Sequence, residues 1–127
     1  MGSATDFKRR CNQPDACDYF VKFVGGTTAV TKVAGTGKGV TVTYISTGVV
    51  DLTFELGCGK FLGLAGAPAF EATTQSGVKG YTAVAGVFNT TTRTLRLNIC
   101  NAAESLTDLA ALQWLSVTAC FSESSAS

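Results

Sequence analysis

The stretch from Val40 to Glu55, VTVTYISTGVVDLTFE, decides the fold class. Apolar and polar residues alternate in VTVTY and again in VDLTFE, and the short segment Ser46-Thr47-Gly48 lies between the two runs. Alternation with period two and many β-branched residues indicates a β-strand, and two such runs joined by a short turn indicate a hairpin. Because each run has one apolar side and one polar side, we expect an antiparallel sheet with one buried face.

Several other segments have the same strand-like character. They are Tyr19–Val24, Thr27–Val33, Tyr81–Phe88, Thr94–Ile99 and Gln113–Phe121. Phe61, Leu62 and Leu64 suggest a further short strand, and Gly66-Ala67-Pro68 indicates a loop. A helical spacing of leucines occurs only in Asn101–Ala111, which is long enough for one or two turns or an ordered loop. The chain is therefore predicted to be all-β, an antiparallel β-sandwich or small barrel of six to eight strands with an extended N-terminal arm.

The chain divides into three parts. Residues 1–18 are an arm that is nearly free of apolar side chains, residues 19–122 are the β-sandwich domain, and residues 123–127 are a polar tail. The arm contains Lys8, Arg9 and Arg10, which predicts either a solvated segment or a docking arm whose cations meet an acidic partner. The chain lacks a signal peptide and a run of eighteen apolar residues, so we expect synthesis in the cytoplasm and no contact with a membrane.

The composition argues against catalysis. None of the 127 residues is histidine, the side chain most often used for acid–base chemistry near neutral pH. Asp51 and Glu55 fall on the polar side of one strand and are interpreted as solubilising charges. A net charge of +1 gives no basis for binding nucleic acid. Only 15% of residues are charged and 46% are hydrophobic, which predicts burial against other chains rather than an enzyme.

No cofactor or metal is predicted. The glycine-rich stretch at residues 35–39 lacks the Gly-x-x-x-x-Gly-Lys-Ser/Thr frame of a phosphate loop, and no C-x-x-C or calcium loop occurs. The five cysteines stand at 11, 17, 58, 100 and 120. Their odd number and irregular spacing favour reduced thiols, and a bond between Cys11 and Cys17 is the alternative. Cys100 and Cys120 are expected to be small buried hydrophobic residues.

Four segments together resemble the small β-sandwich proteins that decorate, or cement, the heads of tailed bacteriophages. The first two, Gly35–Tyr44 and Ser46–Phe54, are similar to that family's glycine-rich entry and first hairpin. In the second, Val49 and Val50 stand where an aromatic residue is usual. Thr94–Ile99 with the following loop and Trp114–Ser122 resemble the family's last two strands. The likeness spans roughly residues 20–122, while the cysteines and the polar arm depart from the pattern.

The resemblance implies a structural virion protein on the capsid surface. Such a protein forms a homotrimer, binds the major capsid protein and cements adjacent capsid subunits. The alternative is a phage tail or receptor-binding β module that attaches to a host surface. Capsid contact is expected in the arm and in the segment from Phe61 to Phe70, and Trp114 and Leu115 are expected in the core or the subunit interface; the contact residues are Lys8, Arg9, Arg10, Phe61 and Phe70.

Overall fold

Nine strands and one short 3-10 helix form the part of the chain that the structure describes, a computed structural model covering residues 16–55 and 60–122. The strands are β1 (Ala16–Gly26), β2 (Ala29–Lys32), β3 (Val40–Ser46), β4 (Val49–Phe54), β5 (Phe61–Leu64), β6 (Ala69–Ala72), β7 (Thr82–Ala85), β8 (Thr94–Cys100) and β9 (Gln113–Ser122). The 3-10 helix spans Gln75–Val78. Within these residues no helix is long and apolar enough to cross a membrane.

The strands form two antiparallel sheets, so the predicted β-sandwich is confirmed. Sheet A has the order β2-β1-β9, and both β5 and β6 pair with the far side of β9. Sheet B has the order β3-β4-β8-β7. β9 is the centre of sheet A, because β1 pairs along it from Trp114 to Ser122 while β6 and β5 pair with its first and second halves.

The core lies between the two sheets and follows the alternation of the sequence. Val50, Leu52 and Phe54 on β4 are buried, as expected for the apolar side of that strand. They join a core of fourteen buried apolar residues, among which β1, β8 and β9 contribute most of the remainder. Burial of large apolar side chains is the main stabilising term for such a domain, at about 1.5–3 kcal/mol for each one.

An aromatic cluster closes one end of the core around Phe121. Its ring centroid lies 5.0 Å from that of Phe54, 5.4 Å from those of Phe61 and Phe88, and 5.5 Å from that of Tyr19. All four contacts are edge-to-face, the arrangement that the ring quadrupole favours. These rings join both sheets at this end of the sandwich.

The first strand begins earlier than the sequence predicts. β1 starts at Ala16, which pairs with Ser122, so residues 16–18 belong to the sandwich rather than to an arm. Lys8, Arg9 and Arg10 lie outside the described residues, as does the polar tail at 123–127. The helical candidate at 101–111 is an ordered loop, in which the Asn101 side-chain oxygen accepts hydrogen bonds from the backbone N–H groups of Ala103 and Ser105.

The sheet edges are short or locally protected. β2, β5, β6 and β7 have four residues each. The longer edge strand β3 is covered at its start, where Lys32 Nζ donates to the carbonyl oxygens of Gly37 and Val40 at 3.0 and 2.7 Å. It ends in a register shift between Tyr44 and Ser46. Short strands, a lysine bound to the edge carbonyl oxygens and a bulge all discourage edge-to-edge pairing, which leaves the sheet faces as the surfaces suited to association.

Candidate interaction surface

The outer face of sheet A exposes aromatic and aliphatic side chains on several strands. Strand alternation sends Val21, Phe23 and Leu115 into the core and their neighbours outward. We call this surface face A and define it by these outward residues: Asp18, Phe20, Lys22, Leu62, Glu71, Trp114, Ser116 and Thr118. They come from four strands, with β9 in the middle.

Two apolar side chains of face A are open to solvent. Phe20 on β1 and Leu62 on β5 are each 48% exposed. They lie on opposite sides of β9, and small polar residues occupy the strand between them: Phe20 pairs with Thr118, and Lys22 pairs with Ser116. The result is a shallow apolar surface with small side chains between its two exposed apolar residues.

Two opposite charges on face A are paired with each other. Lys22 and Glu71 form a salt bridge across β9, and Lys22 Nζ lies 5.8 Å from the centre of the Trp114 ring. That distance falls within the range of a cation–π contact. Trp114 is partly buried beneath this pair, so the part of face A between β1 and β6 has little net charge.

The predicted contact residues Phe61 and Phe70 point toward the interior. The Phe61 ring stacks on Phe88 at 5.2 Å, and the Phe70 ring meets Tyr81 edge-on at 5.8 Å. Their strand neighbours Leu62 and Glu71 are the side chains that reach face A. A capsid contact at the phenylalanines themselves stays a prediction, and their partial burial leaves them little surface for it.

The structure separates the two residues predicted for a core or an interface. Leu115 has no exposed surface and belongs to the core. Trp114 lies on face A. Sequence reasoning missed Phe20 and Leu62. The alternation in Tyr19–Val24 does place Phe20 beside Lys22 on the polar side of the strand, and that was the available signal.

The outer face of sheet B carries more polar side chains, although Val84 on β7, which pairs with Asn98, is 60% exposed. Arg96 donates two hydrogen bonds to Asp51, at 2.8 and 3.1 Å, and the hydroxyl groups of Thr53 and Thr94 lie 3.2 Å apart. The hydrogen bonds to Asp51, and then its charge, raise the pKa of Arg96. An open groove of about 550 Å³ runs over this pair, and Val87 and Asn98 also line it.

A second polar centre ties a loop to the first hairpin. Asp108 accepts a hydrogen bond from the Gly48 N–H at 2.8 Å and another from the Tyr44 hydroxyl at 3.1 Å. Partial burial raises the pKa of Tyr44, the hydrogen bond to Asp108 raises it further, and a hydrogen bond with Thr47 opposes both. The spacing of Ser105 and Asp108 in the sequence is that of a helix N-terminal cap. Asp108 instead holds the β3–β4 turn.

The oxidation state and burial of the cysteines agree only in part with the prediction from the sequence. Cys17 is disulfide-bonded, which corrects the prediction of reduced thiols at this position, and its partner lies outside the described residues. Cys11, the predicted alternative partner, also lies outside them. Cys100 and Cys120 are thiols, partly rather than fully buried. Within residues 16–55 and 60–122, no group of three or more His, Cys, Asp or Glu side chains is placed to hold a metal ion.

Comparisons with known proteins found no similar protein. No family model matches the sequence. Searches of curated proteins and of solved structures likewise gave no match.

Proposed function

We propose that this chain is a structural protein of a tailed-phage particle that binds the outer surface of the capsid and cements adjacent capsid subunits. The observation that carries the proposal is face A, a sheet surface of few charges that exposes Phe20 and Leu62 beside a partly buried Trp114. Aromatic side chains and a low charge density are typical of protein–protein interfaces. The resemblance of residues 20–122 to head decoration proteins supplies the identity of the partner, the major capsid protein.

The proposed mechanism is a clamp. A protein that binds two neighbouring capsid subunits in the assembled shell stabilises the assembled state, because separated subunits do not offer the same composite surface. An interface of about 1,600 Å² suffices for specific binding, and several copies held together gain from multivalent attachment. The arm residues Lys8, Arg9 and Arg10 are the proposed attachment to an acidic capsid surface.

Electron cryo-microscopy of particles purified with and without this protein tests the proposal directly. We expect density on the shell, at junctions between capsid subunits, that disappears when the protein is absent. We also expect shells lacking the protein to release their genome at a lower temperature. Particles that show no density for the protein on the head would overturn the proposal.

A binding assay with stripped capsids tests the arm. The deletion should remove residues 1–10 only, because β1 begins at Ala16 and all five cysteines are then retained. We expect a folded protein with greatly reduced capsid binding, and the same loss when the arm's three cations are replaced by alanine. The matched control replaces three exposed lysines elsewhere, Lys38, Lys60 and Lys79, and should bind normally. Equal binding by the arm variants and the control would refute the role of the arm.

The alternative is a tail or receptor-binding module, and the groove on the outer face of sheet B favours it. The Asp51–Arg96 pair and Asn98 offer hydrogen-bond donors and acceptors side by side, and the 95% exposed Val87 adds an apolar flank. A hydroxyl-rich host glycan is recognised by such a mixed set. Density on the tail instead of the shell, in the same particle images, would select this alternative.

A further inference from the structure

We propose that face A binds a second copy of this chain, with a two-fold axis parallel to β9. The inference concerns the isolated protein, since a copy whose face A is covered by a second copy cannot present the same face to a capsid. Edge-to-edge pairing is disfavoured by the short strands and by Lys32 and the β3 bulge, so self-association through a sheet face is the route left open.

The arrangement of residues on face A is complementary to itself. Phe20 and Lys22 lie on β1, on one side of β9, whereas Leu62 and Glu71 lie on β5 and β6, on the other side. A two-fold axis that runs along β9 in the plane of the interface brings β1 of one copy over β5 and β6 of the other. Phe20 of one copy then faces the side of the other copy that carries Leu62, and Lys22 faces the side that carries Glu71. Each contact occurs twice, as an isologous interface requires.

The shape of face A allows this approach. The central strand β9 presents the small side chains of Ser116 and Thr118 between the larger ones. The exposed apolar residues of two copies can therefore interdigitate above these small side chains. The salt bridge between Lys22 and Glu71 leaves the end of face A around Trp114 with little net charge, so two copies can meet there without strong repulsion. Trp114, beneath the lysine, is the residue type most often found at the energetic centre of an interface.

The area of face A suits a weak pair. β9 has ten residues, which at about 3.4 Å per residue gives a length of roughly 34 Å. Three strand positions, those of β1, β9 and the β5–β6 side, at about 4.8 Å spacing give a width of roughly 14 Å, and the footprint is on the order of 490 Å². A standard interface buries about 800 Å² on each partner, so face A fits a reversible dimer of low affinity.

Sedimentation velocity of the purified full chain tests the proposal over a range of about 1 to 100 µM. We expect a concentration-dependent shift from 13.1 kDa toward twice that mass. Phe20→Thr and Leu62→Thr should each weaken the pair by about tenfold or more, because both residues occur twice in the interface. Ile45→Thr, which changes a similarly exposed side chain outside face A, should leave the affinity unchanged.

A charge exchange tests the pairing geometry. The Lys22→Glu chain and the Glu71→Lys chain should each be poor at self-association, since each gathers like charges on face A. An equimolar mixture of the two should restore the dimer, because the altered position of one chain then faces the opposite charge on the other. The circular dichroism spectrum of each variant should match that of the parent protein, since all four positions are on the outer surface.

Three results would overturn the proposal. One is a chain that remains monomeric at the highest concentration. Another is an assembly of three copies, which the resemblance to decoration proteins predicts and a closed two-fold pair excludes. The last is a dimer whose affinity is unaffected by Phe20→Thr and Leu62→Thr. Because no capsid is present in these measurements, their failure is distinct from failure of the proposed function.

Discussion

Replacing Asp108 by alanine should lower the free energy of unfolding by about 2–4 kcal/mol, a large effect for a partly buried residue in a loop. Its carboxylate accepts from the Gly48 N–H and from the Tyr44 hydroxyl. Gly48 is buried, so its N–H would be left without an acceptor at a cost of about 1–3 kcal/mol. Loss of the hydrogen bond from the Tyr44 hydroxyl adds a smaller amount.

The geometry around Gly48 explains why the turn cannot easily relax after this loss. Its φ is +72°, and a Cβ there would lie 2.8 Å from both the Ile99 carbonyl oxygen and the Thr107 nitrogen. The turn is therefore packed directly against β8 and the following loop. Because the backbone has no room to move toward another acceptor, we expect the full cost to appear in the unfolding equilibrium.

Urea unfolding followed by Trp114 fluorescence measures the effect as a change in midpoint at constant slope. Asp108→Asn keeps one oxygen as an acceptor and should lose less than Asp108→Ala. Tyr44→Phe should cost about 0.5–1.5 kcal/mol, and its effect should not add to that of Asp108→Ala, because both remove the same hydrogen bond. Asp51→Ala, which breaks an ion pair with a largely exposed arginine, is the control and should cost less than about 1 kcal/mol.

Two outcomes would refute this reasoning. A loss below about 0.5 kcal/mol for Asp108→Ala would mean that the loop is not held by its carboxylate. Full additivity between Tyr44→Phe and Asp108→Ala would mean that the two side chains do not interact in solution.

Two further predictions concern the same fold. Partial burial and the hydrogen bond to Asp108 raise the pKa of Tyr44 in the folded protein above its usual 10.0. The neutral side chain therefore contributes its full stabilisation below pH 10, and this contribution is lost as the pH rises above that value. An ultraviolet absorbance titration should show Tyr44 ionising above pH 10, later in the parent protein than in Asp108→Ala; identical curves would contradict this. Phe121→Ala should lower the free energy of unfolding by about 3–5 kcal/mol, because four aromatic rings lose their shared contact, and a loss below about 1 kcal/mol in urea unfolding would exclude that role.

The hairpin at residues 40–55 shows what local pattern can predict. Val50, Leu52 and Phe54 are buried as the alternation requires. Val42 and Tyr44, on the matching side of β3, are only partly buried, because β3 is an edge strand of sheet B. Alternation therefore predicts which side of a strand faces the core, but the extent of burial depends on the neighbouring strands.

Pairings between distant segments could not be predicted in the same way. The sequence suggested a short strand near Phe61 and only a loop around Pro68, whereas β5 and β6 both pair with β9. These partners are separated by more than forty residues, as in the pairing of Phe70 with Leu115. β5 and β6 have four residues each, too few for an alternation of apolar and polar residues to be distinguished from chance. Their stability comes from pairing with β9 rather than from local β-strand propensity.

The position of Asp108 illustrates the same limit for polar residues. From the sequence, its nearest apparent role was local, three residues after Ser105 as part of a cap. Its actual partners, Tyr44 and Gly48, precede it by 64 and 60 residues. A carboxylate that accepts hydrogen bonds from a turn far away in the sequence is not marked by any pattern in its neighbouring residues. Such a contact can be identified only when the fold is known.

The two outer faces of the sandwich are alike in charge and differ in their aromatic side chains. Sheet B presents the Asp51–Arg96 pair, threonines and the exposed Val84 to solvent. Sheet A presents Phe20 and Leu62 beside the Lys22–Glu71 pair and the partly buried Trp114. Aromatic residues are enriched at protein–protein interfaces. Face A is therefore the stronger candidate for contact with another protein, whether that protein is a second copy or a capsid.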